Sequence, residues 1–151
     1  MIRRISTTIL LLASVIFIFS SCTKGNDIIN NQADITGTWA VVGISSNIPY
    51  DWNGDGYPET DIYGSYNYCQ RDIALSFEDN GYGQSRQGCN ASWLAMSWQL
   101  SNGNRTLRIN LPSDDLNLNL SRFTTNSIVG EDNVYVNGRN FIITYTLERR
   151  Y

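Results

Sequence analysis

From residue 35 onward the chain sets apolar side chains at every second position in a series of short runs, and no stretch sustains a helical repeat. Successive side chains of a strand point to opposite faces, so this pattern prescribes half-buried strands and excludes a helical bundle. Ile73, Leu75 and Phe77 face one way while Asp72, Ser76 and Glu78 face the other, and Asn80-Gly81 supplies a hairpin turn. Leu94, Met96, Trp98 and Leu100 share a face, as do Leu107, Ile109 and Leu111, and then Leu116, Leu118 and Leu120. Residues 127–136 read as a seventh strand, bent near 130–133, and residues 140–149 as an eighth. Eight strands in chain order with short turns predict an all-β, up-and-down antiparallel barrel, with a β-sandwich as the alternative. Closure favours the barrel because it leaves no exposed edge.

The first 21 residues are of another kind. Arg3 and Arg4 precede an apolar run from Ile9 to Phe19 and then Ser20, Ser21 and Cys22. This is the layout of a secretory leader, and the run is shorter than the ~20 residues of a membrane span. Phe19-Ser20-Ser21-Cys22 resembles the bacterial lipobox, in which the cysteine is lipidated and becomes the first residue of the mature protein. The expected organisation is a signal peptide over 1–21, a flexible polar tether over 22–34 and one barrel domain over 35–151. The expected location is the outer membrane of a bacterium, reached through the lipid on Cys22, with the periplasmic and surface faces both open. Without the leader, nine basic residues face fourteen acidic ones, which excludes nucleic acid as a natural partner. The chain has no histidine. That removes histidine general bases, the usual catalytic triads and histidine metal sites, so an enzyme is not expected. With Cys22 assigned to lipid, Cys69 and Cys89 remain as an even pair that an oxidising compartment allows to form a disulfide.

At the two ends of the folded region, the first strand is read over 35–44, with Gly37-Thr38-Trp39 near its start and the Pro-, Gly- and Asn-dense connection beginning at Ser45, and the last strand runs Phe141, Ile143, Tyr145, Leu147 and Arg149 in one phase. If first and last strands pair, the Arg149 guanidinium lies near the face of Trp39, a cation–π contact of about 0.5 to 2 kcal/mol. A Gly-x-Trp on the first strand with an arginine on the last resembles the lipocalin signature, and the mature chain is similar to the lipocalin-like lipoproteins of Bacteroidetes-type bacteria. Cys69-Gln-Arg-Asp72, Phe77, Asn80-Gly81 and Cys89 follow the spacing that many of those proteins show. The resemblance implies an eight-stranded barrel, a monomer, and a small apolar or amphipathic ligand.

Between the first two strands, Asp51-Trp52-Asn53-Gly54-Asp55-Gly56 places oxygen ligands at positions 1, 3 and 5 of a loop with glycine at 6, as an EF-hand calcium loop does. Tyr57 would add its carbonyl at 7 and Glu59 sits at 9, but position 12 is Ile62, with Glu59 and Asp61 the nearest carboxylates. An isolated, weak structural Ca²⁺ loop and a plain turn are the two readings. Six aromatic residues (Tyr50, Trp52, Tyr57, Tyr63, Tyr66 and Tyr68) crowd this connection. They either plug a barrel end or offer a platform for glycans or proteins. Asp114-Asp115 and Glu131-Asp132 are read as solvated turns. The functional expectation is a binding module with its ligand inside the barrel; the alternative is a packed barrel that works as a structural or surface-recognition module.

Overall fold

The computed structural model describes residues 28–30 and 33–151. The leader, Cys22 and most of the tether lie outside the described residues. In chain order the elements are β1 (Ile28–Ile29), β2 (Gly37–Tyr50), β3 (Glu59–Asp61), the single turn α1 (Ile62–Ser65), β4 (Ile73–Phe77), β5 (Tyr82–Gln87), β6 (Leu94–Ser101), β7 (Thr106–Asn110), β8 (Asp115–Phe123), β9 (Ser127–Val136) and β10 (Arg139–Arg149). Eight of the strands close into an antiparallel up-and-down barrel, each paired with the next from β4 to β10 and β2 joining β10 to β4. β1 adds a short parallel pairing to β8, and β3 pairs with β2.

The barrel has two unlike ends. At the end where β2 begins and β10 stops, the interior is filled by Trp39, Phe77, Leu107, Phe123, Ile128 and Leu147, none more than 2 % exposed. Arg149 shuts this end. Its guanidinium lies 4.5 Å from the centre of the Trp39 ring and donates to the carbonyls of Asp34, Thr36 and Thr125. Trp39 Nε1 in turn donates to Ile35 O at 2.7 Å, so one cation and one indole tie the entering chain to the β8–β9 turn. Gly37 is required there on two counts. Its φ is +110°, and a Cβ on it would stand 2.9 Å from Arg149 Nη1. Asp34 completes the arrangement. Hydrogen bonds from the Thr36 hydroxyl and N–H, with the Arg149 charge behind them, hold its carboxyl below the ordinary carboxylate range.

Two bulges re-phase the strands. The β2–β10 register skips between Thr146 and Leu147, opposite Gly43 and Val41, leaving Val42 unpaired and exposed. Trp39 and Val41 therefore face inward below the skip, and Ile44 and Ser46 above it. β8 slips at Ser121 in the same way, so that Leu118, Leu120 and then Phe123 all reach the core.

Several expectations need correction. The first strand does not end at residue 44 but continues through Pro49 to Tyr50. β9 keeps an unbroken register with β10 from Ser127 to Val136, with no bend at 130–133. Consequently Glu131 and Asp132 are strand residues rather than turn residues. Leu94, although in phase with Met96, is 53 % exposed because it sits at the rim of the opposite end.

Removing the Arg149 contacts loosens three segments at once. Arg149→Ala should lower the unfolding free energy by about 2 to 4 kcal/mol, given charge-assisted hydrogen bonds plus the ring contact. Arg149→Lys should recover less than half of that loss, because an ammonium lacks the planar fork. Urea unfolding followed by tryptophan fluorescence reads both, and equal stability of the lysine variant would contradict the geometry.

Candidate functional site

The other end of the barrel is roofed by the long connection between β2 and β4. Tyr50, Trp52 and Phe141 pack edge to face with ring centres 4.9 to 5.2 Å apart. Trp52 Nε1 donates to Ser46 Oγ at 3.2 Å, and Asn137 Nδ2 donates to Tyr50 Oη at 2.7 Å. The turn α1 is capped by Asp61, whose carboxylate accepts from Gly64 N at 2.8 Å, and it buries Ile62. Arg71 then gathers the roof by donating to the carbonyls of Gly64 and Tyr66 with its guanidinium over Tyr63. The Cys69–Cys89 disulfide fastens the same connection to the β5–β6 turn, with Cα atoms 4.8 Å apart. Asp72, in the Cys-x-x-Asp stretch, accepts both 2.9 and 3.0 Å contacts from Arg86 Nη2. The aromatic residues thus divide: Tyr50, Trp52, Tyr63 and Tyr66 pack on the core, whereas Tyr57 and Tyr68 are 78 % and 85 % exposed.

Beneath this roof the barrel is not filled. A cavity of about 410 Å³ is lined by Ile44, Trp52, Ile62, Tyr66, Leu116, Val134, Ile143 and Tyr145, together with Asp114, Asp115 and Asp132. A second space of about 300 Å³ shares Ile44, Tyr66, Asp114, Leu116 and Tyr145 with it and reaches Ile73, Leu75 and Leu111. Asp114 and Asp115 of one carboxylate pair and Asp132 of the other, all read as turn residues in the sequence, therefore meet at one mouth, while Glu131 faces outward. Asp132 enters because it shares the inward phase of β9 with Ile128, Gly130, Val134 and Val136, opposite Ile143 of β10. Its two oxygens accept from Asn117 N and Asn133 N at 3.0 and 2.8 Å, which holds the carboxylate in place without neutralising it. Among the described residues none of these three acids has an ion-pair partner.

Tyr145 stands at the floor of the cavity, next to the filled half. Burial, and then the charge of Asp132 and the neighbourhood of Tyr66 and Asp114, push its phenol up to about 12. Burial also raises Tyr66. Neither hydroxyl makes a hydrogen bond within the described residues, so both remain available to a guest.

A second acidic cluster lies outside the mouth. Carboxylate oxygens of Asp51, Asp55 and Glu59 all come within 4.8 Å of one another, a set that could hold a metal ion. Asp51 accepts from the N–H groups of Gly54, Asp55 and Gly56, Asn53 Oδ1 accepts from Asp55 N, and Asp55 accepts from Tyr57 N. Glu59 Oε1 is buried with no hydrogen-bond partner. Asp61 stands apart from the cluster, engaged at the α1 cap, and the Tyr57 side chain points to solvent.

No protein-family model matches the chain, and no curated protein matches it in sequence.

The raised Tyr145 value is measurable. Relative to the ordinary phenol value of about 10, stabilisation by the neutral hydroxyl is complete below pH 10 and is lost as pH rises toward 12. Absorbance titration at the tyrosinate band should show one late-ionising phenol that disappears in Tyr145→Phe, and that variant should lose less stability between pH 10 and 12 than the parent. A phenol ionising near 10 at this position would show the site to be solvated instead.

Proposed function

We propose that this protein is an exported, lipid-anchored lipoprotein of the lipocalin-like kind that holds a small apolar or amphipathic molecule at the roofed end of its barrel. The observation that carries the reading is the asymmetry of the interior. One half is packed to exclusion around Trp39, while the other keeps about 410 Å³ of space between apolar walls and a few convergent polar groups. Pockets of small-molecule size have this mixture of apolar surface and sparse polar contacts. A barrel of eight strands has room for one small guest or for side chains, and here each use occupies one half. Lipidation at Cys22 would leave a polar tether leading into the closed end, so the mouth would face away from the membrane.

Titration with the neutral amphiphile N-phenyl-1-naphthylamine should give saturable one-to-one binding with a fluorescence rise. Leu116→Trp, which fills the cavity, should weaken it at least tenfold. Absence of saturable binding would favour a structural or surface-recognition role, with Tyr57 and Tyr68 as the exposed platform. Cys22→Ala should move the protein from the membrane to the soluble fraction of its host, and unchanged membrane retention would contradict the anchor.

A structural calcium ion at the outer loop is favoured by the orphaned Glu59 oxygen, which faces two other carboxylates and lacks a protein donor. Asp51, Asp55 and Glu59 would be its charged ligands, with the Asn53 carbonyl oxygen and the Tyr57 main-chain carbonyl as neutral ones. With a dissociation constant of about 10⁻³ M, 10 mM calcium should stabilise the fold by about 1.4 kcal/mol. The gain should vanish in Glu59→Gln. A melting temperature indifferent to calcium would remove this reading.

A further inference from the structure

We infer that the cavity at the roofed end selects an organic cation with an apolar body, an alkyl or aryl ammonium, over a fatty-acid-like anion of the same size. This rests on reading the roofed end as a ligand site, and it names the ligand's charge. Three carboxylates, Asp114, Asp115 and Asp132, line the same cavity, and no lysine or arginine lines it. Asp132 is an inward-pointing strand residue whose oxygens are oriented by main-chain N–H groups of β8 and β9. Its position is therefore as fixed as the barrel itself, unlike that of an acid on a loose surface loop.

The surroundings favour the same choice. Below the acids lie Ile44, Ile143 and Leu116, which accept an apolar body but offer no counter-charge. Trp52, Tyr66 and Tyr145 bring aromatic rings to the same space, and ring faces attract ammonium groups most strongly when desolvated. A carboxylate guest would meet the half-buried Asp132 on the inner wall and the exposed Asp114 and Asp115 at the rim, like charges that are repulsive and that salt screens at the rim. Arg71 of the roof is engaged with the carbonyls of Gly64 and Tyr66, and Arg86 lines a further space that shares Ile73, Leu75, Gln87 and Leu111 with the second one. Arg86 is committed there to Asp72 at 2.9 Å and to the face of Trp93. The phenol of Tyr145, kept neutral first by burial and then by the Asp132 charge, adds no positive charge to this space.

Calorimetric titration of the purified domain with octyltrimethylammonium, octanoate and 1-octanol separates charge from apolar fit, since all three carry the same chain. The ammonium should bind at least ten times more tightly than octanoate at low salt, with octanol between them. That advantage should shrink to less than threefold in 1 M NaCl, and also in the Asp114→Asn, Asp132→Asn double variant. If the double variant does not fold, the salt series on the parent protein decides alone. Octanoate binding as well as or better than the ammonium, with octanol also bound, would overturn the charge selectivity while leaving the ligand site intact. Saturable binding of none of the three would overturn the ligand site, and the selectivity with it.

Discussion

The guanidinium of Arg149 under the ring of Trp39 is the contact on which the rest of the molecule depends. A barrel made by eight consecutive strands closes only if the first and last meet, and here they meet with a charge pressed against an indole face. The cation has its donors directed to carbonyls from the entering chain and from the β8–β9 turn, so its burial is not left uncompensated. Gly37 follows from it, since the close approach of Arg149 leaves no room for a Cβ. Once this end is fixed, Phe77, Phe123 and Leu147 pack around Trp39 and fill the lower half.

The upper half obeys a different rule. A carboxylate pointing into a dry barrel would carry a large desolvation cost. Asp132 does point inward, and it is tolerated because the space above it is open and two main-chain N–H groups receive its oxygens. The boundary between packed and open interior falls at Tyr145, whose ring reaches the core while its hydroxyl is left among Asp132, Tyr66 and Asp114. The roof is held by the disulfide, by Arg71 and by the Tyr50, Trp52 and Phe141 rings. Trp52 also stands between Asp51 and Asn53, so any order imposed on the outer acidic loop is felt directly at the mouth.

Much of the barrel was legible in the sequence because a buried face imposes period two. The bounds of β9 coincide with the run read from alternation, and the Trp39–Arg149 approach followed from pairing the outer strands. Where local chemistry masks the period, the reading failed. Val42 bulges out and shifts the phase of β2, and Asn47 and Pro49 look like loop residues, so the strand seemed to stop at 44. Glu131-Asp132-Asn133 looks like a turn by composition, yet Asp132 sits in phase with Ile128 and Val134; attention to that phase would have placed a carboxylate inside. The convergence of Asp114 and Asp132 was not legible at all, since it depends on the registers linking β8, β9 and β10. The leader and lipobox lie outside the described residues and stand on their sequence pattern.

Native mass spectrometry of the domain purified gently from its own host tests the central claim most directly. The expected result is a single additional species of a few hundred daltons, released on denaturation and recovered as a molecule that ionises as a cation. A bare polypeptide mass that persists after the protein is offered amphiphiles would show that the space beneath the Trp52 roof holds nothing, and would contradict the claim.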